Sequence, residues 1–163
     1  MKGSENIFNN ACCFFGHRKI VETEKLKNQL YETIESLIKK EKVDVFLFGS
    51  KSSFDSLCYE IVTKIKEKHP HIKRIYVRVE YPNINDEYNT YLLNHYEQTY
   101  YPQKIIGATK AVYIKRNYEM IDNCEFCIVY FKNDSLPKSE KSGTKIALDY
   151  ALKHNKTVIL FPQ

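Results

Sequence analysis

The chain has 163 residues, of which 43% are hydrophobic and 28% are charged, and its formal net charge is +5. This length suits one domain with a substantial core, and the mild basic excess favours anionic ligands without predicting nucleic-acid binding. No apolar run is long enough to span a membrane, and the first ten residues lack the apolar segment of a secretory signal. We therefore expect a cytoplasmic protein.

The five cysteines predict neither a disulfide framework nor a metal site. Their number is odd, and disulfide-rich folds belong to secreted chains. Cys124 and Cys127 form a C-x-x-C pair, but zinc would need a second pair or two suitably spaced histidines. A redox pair opens a helix, whereas these two cysteines flank the start of an apolar run. We interpret both as buried structural residues and expect no metal.

Apolar runs alternate with helical patterns from one end of the chain to the other. In chain order, strand patterns at 11–15, 43–48, 72–79, 126–131 and 157–161 alternate with helical patterns at 21–41, 53–69, 109–123 and 143–155. Continuous apolar strands separated by helices indicate a parallel sheet covered on both faces. We predict a single Rossmann-like three-layer α/β domain over residues 1–163, with five parallel strands in the order 3-2-1-4-5.

Residues 80–107 are the least regular part of the chain. They contain two prolines and six of the tyrosines, and we predict a long excursion with one short helix at 86–97. Loops of this length in a single domain tend to be functional. The alternative is a packed, Tyr-lined surface insertion that has no role in ligand binding.

In a parallel α/β sheet, ligands bind beyond the carboxyl ends of the strands, where the strand order reverses. Gly16, His17 and Arg18 follow the first predicted strand. Glycine allows a sharp turn and a close approach to a ligand, and the arginine fork suits phosphate. The histidine can contact phosphate or ribose, or act as an acid or base. The alternative is a loop with exposed polar residues.

Small and polar residues also follow the second predicted strand. The candidate ligand residues of this segment are Gly49, Ser50, Lys51 and, in the following helix, Asp55. Free backbone N–H groups at the start of that helix can bind an anion, and Lys51 adds a positive charge. The alternative is that Ser52 or Ser53 simply caps the helix. The spacing differs from that of a P-loop.

A third small-residue entry to a helix follows the fourth predicted strand. It consists of Ser142, Gly143 and Thr144, and either hydroxyl can serve as the cap. Arg116 and Asn117 lie in the helix before that strand and are further candidates for ligand contact. For Arg116 the alternative is an ordinary surface salt bridge.

Four segments in this order match a known pattern. They are CCFFGHR at 12–18, the segment around FGS and FD at 48–55, RNYEMIDN at 116–123, and SGT at 142–144 followed by Ala147 and Tyr150. They resemble the motifs of the SLOG superfamily, in particular its short standalone YpsA-like bacterial members. The resemblance covers almost the whole chain and implies a Rossmann-like fold with a pocket for nucleotides or nucleotide-derived ligands.

The chain departs from these motifs at two places. Ser50 and Ser53 stand where the second motif has glycines, which narrows the room for phosphate. The related Lonely Guy enzymes cleave an N-glycosidic bond in nucleoside monophosphates and carry a catalytic glutamate where this chain has Ala147. Because carboxylates face the ribosyl centre in glycosidic cleavage, the resemblance argues for the pocket and against that reaction.

Three functions remain open at this point. The first is a protein without catalytic activity that binds an NAD-like, ADP-ribose-like or cyclic signalling nucleotide, as a sensor or a sequestering protein, and needs no cofactor. The second is a nucleotide N-glycosidase or phosphoribosyl-type hydrolase that uses Asp55, Asp122 or His17 as acid or base. The third is an interaction protein with a vestigial pocket. The resemblance and the Tyr-rich excursion also predict a homo-oligomer.

Overall fold

The computed structural model describes residue 8 and residues 10–49, 51–108, 111–132 and 142–163. Within these residues, six parallel strands form one sheet in the order β4-β3-β2-β1-β5-β6. In chain order the strands are β1 (Ala11–Gly16), β2 (Val45–Phe48), β3 (Lys73–Val77), β4 (Gln98–Tyr100), β5 (Phe126–Tyr130) and β6 (Thr157–Phe161). The prediction of a Rossmann-like parallel α/β fold is therefore confirmed.

Helices cover both faces of the sheet. They are α1 (Glu24–Lys40), α2 (Ser53–Lys66), α3 (Asp86–Leu93), α4 (Val112–Asp122) and α5 (Gly143–Lys153), with a 3₁₀ turn at Gln103–Ile105. Alternate residues of β1 serve the two faces: Cys12 and Phe14 pack with α1 and α2, whereas Cys13 and Phe15 pack with α4 and α5. Successive strand side chains point to opposite faces, so both layers of helices bury an apolar surface.

The predicted count of five strands is wrong, because β4 extends the sheet beyond β3. β4 has only three residues, and none of them is fully buried. The sequence therefore has no continuous apolar run here that would predict a strand. β4 is fixed by tertiary contacts instead: the Thr99 hydroxyl donates a hydrogen bond to the Tyr76 carbonyl at 2.9 Å, and Arg74 and Glu97 form an ion pair at 2.7 Å. The excursion at 80–107 is thus partly built into the sheet, and its helix α3 ends at Leu93, earlier than predicted.

The five cysteines are all buried and unpaired. Cys13 and Cys127 lie side by side on β1 and β5, with their sulfur atoms 3.6 Å apart. Burial raises the pKa of the Cys124 thiol to about 11, so this thiol stays protonated and unreactive at neutral pH. No helix of the described residues is both long and apolar enough to cross a bilayer.

Gly16 ends β1 at a point where α2 crosses the sheet very closely. A Cβ at this position would lie 2.4 Å from the Cβ of Phe54, and the phenyl ring is fully buried. The sequence suggested that this glycine gives a ligand room to approach. The structure supplies a different reason, since the glycine makes room for Phe54 and so brings the start of α2 down onto the end of β1.

We predict that Gly16→Ala destabilises the fold by about 1–3 kcal/mol, the usual cost of overpacking a core. The added methyl group meets the Phe54 Cβ, which cannot rotate away. Urea unfolding measures the change. The matched control is Gly143→Ala, where a Cβ would meet no atom of the described part of the chain within 4 Å. Equal stability of Gly16→Ala and wild type would contradict this packing constraint.

Candidate functional site

A cleft of about 750 Å³ lies at the carboxyl edge of the sheet. Ten of the residues predicted from the sequence line it: Gly16, His17, Arg18, Gly49, Lys51, Arg116, Asn117, Ser142, Gly143 and Thr144. They come from the ends of β1 and β2, from α4 and from the start of α5. The strand order explains this convergence, because β2, β1 and β5 are neighbours and the segments that follow them meet at one edge.

Two predicted residues remain. Ser50 lies outside the described residues. Asp55 is in the first turn of α2, but its side chain is buried and does not line the cleft. The helical periodicity explains the difference, because Asp55 lies on the face of α2 that packs against the sheet, next to the core residue Phe54.

Other lining residues escaped the prediction from sequence. They are Phe15, Ser52, Tyr76, Val79, Glu80 and Tyr113. Tyr76, Val79 and Glu80 belong to the end of β3 and the residues after it. Ligands bind beyond the carboxyl ends of parallel strands, and these residues follow the third predicted strand. The sequence could therefore have indicated these residues in the same way as those after the first, second and fourth strands. Tyr113 sits one helical turn before Arg116 and carried no signal of its own.

The Arg116 side chain lies at the base of the cleft and is hydrogen-bonded to the ends of two strands. Its guanidinium donates hydrogen bonds to the carbonyl of Gly49 at 2.6 Å and to the carbonyl of Val77 at 3.4 Å. Its Nε donates to the Asn117 side-chain oxygen at 2.9 Å. The side chain is only 3% exposed, so the interpretation as a surface salt bridge is wrong. A Cβ on Gly49 would lie 2.8 Å from a guanidinium nitrogen, which explains the glycine.

Arg116 and Asp55 are two buried ionisable groups that act on each other. Burial lowers the pKa of Arg116, and the charges of Tyr76, Asp55 and Glu80 oppose this shift. Burial raises the pKa of Asp55 well above its ordinary value, although the positive charge of Arg116 works in the other direction. One Asp55 oxygen is buried without a hydrogen-bond partner among the described residues. Asp55 is therefore a buried group that acts on the cleft through Arg116.

His17 connects the end of β1 to the residue two places beyond β5. Its Nε2 accepts a hydrogen bond from the Lys132 backbone N–H at 2.8 Å, and its ring packs against Tyr130 and Phe131. Since that N–H can only donate, Nε2 is the unprotonated nitrogen in this arrangement. A role as general base through Nε2 would require this hydrogen bond to break, so the geometry favours a supporting role for His17.

The two helix starts at the cleft differ in how their backbone N–H groups are used. Ser52 and Ser142 are the N-caps of α2 and α5, and each hydroxyl accepts from the N–H three residues later at 3.0 Å. In α2 the first N–H, that of Ser53, donates to the Arg18 carbonyl at 2.8 Å. In α5 the N–H groups of Gly143 and Thr144 have no acceptor among the described residues, so α5 is the better anion site.

The floor and walls of the cleft combine several kinds of chemistry. Arg18 and Lys51 are exposed cations, and the amides at the start of α5 add partial positive charge. Tyr113 is 59% exposed and offers an aromatic face. Glu80 supplies an ionisable carboxyl group on the β3 side. Together these groups can hold an elongated, anionic molecule that also carries a flat or hydrogen-bonding part.

Comparison with known proteins relates the chain to a prophage-derived protein. The chain is 32% identical over 149 residues to "Uncharacterized SPbeta prophage-derived protein YoqJ" of Bacillus subtilis (strain 168), covering 79% of this chain and 81% of that protein. No protein-family model matches the chain.

We predict that Arg116→Met destabilises the protein by about 1–3 kcal/mol, because it leaves the buried carbonyl of Gly49 without its guanidinium donor. Urea denaturation measures the difference. Lys115→Met is the matched control, since this neighbouring cation of α4 is exposed. A loss of similar size in both variants would contradict a specific role for Arg116.

We also predict a pH-dependent effect of Asp55→Asn. Below about pH 4 the aspartate is neutral in the folded and unfolded chains. As the pH rises, the unfolded carboxyl ionises while the buried one keeps its proton, so wild type loses stability that the asparagine variant retains. The free energy of unfolding of the variant, relative to that of wild type, therefore rises by up to about 1.4 kcal/mol per pH unit until the folded carboxyl ionises.

The measurement is urea unfolding of both proteins at several pH values between about 4 and 8. The raised pKa of folded Asp55 affects stability roughly within this range. Asp86→Asn, at the exposed start of α3, serves as the control. A stability difference between Asp55→Asn and wild type that does not change with pH would mean that the Asp55 carboxyl is ionised in the fold.

Proposed function

The chain belongs to the same family as the prophage-derived protein YoqJ, and we propose that its cleft binds a nucleotide or nucleotide-derived signalling ligand. In this role the protein acts as a sensor or as a sequestering protein. The observation that carries the proposal is the convergence of Arg18, Lys51 and the α5 start on one cleft at the carboxyl edge of a parallel sheet. Anions bind at such edges because cations and helix amides meet there.

The anionic part of the ligand fits best at the start of α5. Among the described residues, the amides of Gly143 and Thr144 have no acceptor, and no atom lies within 4 Å of the position that a Gly143 Cβ would take. A phosphate group can therefore approach the backbone there. Arg18, an exposed residue of the same cleft, adds the planar fork that binds phosphate oxygens in pairs.

The resemblance to the SLOG superfamily supports a nucleotide over other anions. All four of its motif segments contribute lining residues: Gly16 to Arg18, Gly49 with Lys51, Arg116 with Asn117, and Ser142 to Thr144. We propose that the YoqJ family is a branch of that superfamily close to its YpsA-like members. The ligand class that this assignment implies is a nucleotide such as ADP-ribose, NAD or a cyclic derivative.

Binding without cleavage is the better-supported activity. Among the described lining residues, Glu80 is the one carboxylate, whereas glycosidic cleavage ordinarily uses a pair. Ala147, at the position of the Lonely Guy glutamate, is buried in the core cluster with Met120 and Ile121. His17 already accepts a backbone hydrogen bond. The proposed homo-oligomer and the absence of nucleic-acid partners stay predictions.

We predict that wild type binds at least one of ADP, ADP-ribose and NAD in isothermal titration, and that Arg18→Ala raises the Kd about 10- to 150-fold. The loss reflects a charge-assisted bond to phosphate, so circular dichroism and unfolding stay unchanged. Lys19→Ala is the matched control, because Lys19 is an exposed neighbouring cation outside the cleft lining.

Gly143→Val is the second variant of this experiment. Its side chain would fill the open space beside the α5 amides, so we expect it to abolish binding while the protein remains folded. Nucleotide binding at wild-type affinity in both Arg18→Ala and Gly143→Val would place the ligand elsewhere. Release of free base or nicotinamide from the same three compounds would instead indicate a hydrolase.

A further inference from the structure

Glu80 projects into the cleft from the segment that follows β3. Its side chain is half-buried, and two bonds hold the carboxylate in place: one oxygen accepts from the Val79 backbone N–H at 3.0 Å and the other from the Tyr76 hydroxyl at 3.2 Å. A carboxylate has about four acceptor sites, so this group can accept further hydrogen bonds. Glu80 is thus a fixed, partly unsatisfied acceptor on the wall of the proposed ligand site.

The surroundings keep this carboxylate ionised. Burial raises the pKa of Glu80, but the backbone amides of Val79 and Glu80, the Tyr76 hydroxyl and the charge of Lys51 together outweigh this effect. The pKa therefore lies below its usual value. At neutral pH the group accepts hydrogen bonds and donates none.

Glu80 lies on the opposite side of the cleft from the proposed phosphate site. The strands run β3-β2-β1-β5 across this edge, and α5 follows β5. Three strand spacings amount to about 14 Å, so a ligand that reaches both groups must be elongated. A carboxylate repels phosphate, and this repulsion fixes the direction in which such a ligand can lie.

The part of the ligand that meets Glu80 must donate hydrogen bonds without being positively charged. Arg18, Lys51 and Arg116 make the rest of the cleft positive, which disfavours a cationic ligand. Neutral donors remain, and a neighbouring pair of hydroxyl groups can donate to both oxygens of one carboxylate. The exposed ring of Tyr113 in the same cleft can stack on a base next to that sugar.

We propose that Glu80 selects ribonucleotides by accepting hydrogen bonds from the 2′- and 3′-hydroxyl groups of the ribose, an inference that rests on the proposed nucleotide-binding function. The phosphates then point to Arg18 and the start of α5. Glu80 therefore determines the class of sugar, and Arg18 contributes affinity for the phosphates. The two residues have separable effects, which makes the inference testable apart from nucleotide binding itself.

The test is isothermal titration with ADP and with 2′,3′-dideoxy-ADP. Wild type is expected to bind ADP at least about tenfold more tightly, the effect of hydrogen bonds to a charged group. In Glu80→Gln the ratio falls to about threefold or less, as for bonds to a neutral group. Glu87→Gln, which removes an exposed carboxylate from α3, is the matched control and keeps the wild-type ratio.

Each outcome bears on one of the two proposals. If wild type binds none of ADP, 2′,3′-dideoxy-ADP, ADP-ribose and NAD, nucleotide binding fails and the proposed role of Glu80 fails with it. If wild type binds both compounds equally, nucleotide binding stands and the selection of ribose is wrong. If the preference for ADP persists in Glu80→Gln, another residue recognises the hydroxyl groups. The wild-type comparison needs no variant, so the hydroxyl requirement is tested even if Glu80→Gln does not fold.

Discussion

The buried guanidinium of Arg116 is the interaction on which the cleft depends. A charge that is only 3% exposed persists in a core when hydrogen bonds satisfy it, and here the acceptors are carbonyls at the ends of β2 and β3. The guanidinium lies so close to Gly49 that any side chain there would collide with it. Arg116 thereby links α4 to the ends of β2 and β3 and holds the base of the cleft in place.

Two glycines at the strand ends serve the packing of the protein, although they lie in the proposed ligand site. Gly16 makes room for Phe54, and Gly49 makes room for Arg116. Gly143 differs, because it lines the cleft and no described residue occupies the space beside it. Glycines in one cleft can thus have different structural roles. Where a neighbouring side chain fills the space, the glycine shapes the fold, and where no described residue fills it, the glycine widens the cleft.

The cleft is electrically asymmetric, and this asymmetry connects its structure to its proposed function. Arg18 and the α5 amides follow β1 and β5, the Glu80 carboxylate follows β3, and Lys51 follows β2 between them. A uniformly positive cleft would favour any anion of the right size. A fixed acceptor at one end favours an anion whose other end carries hydroxyl donors, and this combination describes a ribonucleotide.

The sequence by itself determined the alternation of strands and helices, and hence the edge at which the segments containing Gly16, Gly49 and Gly143 meet. Apolar periodicity and capping residues are local, so they can be read without the fold. Tertiary structure alone decided three other features: β4, which has no apolar pattern of its own; the burial of Asp55; and the hydrogen bonds of Arg116 to the ends of β2 and β3. These depend on which strand lies beside which and on where a helix meets the sheet, and such long-range contacts leave no trace in local sequence.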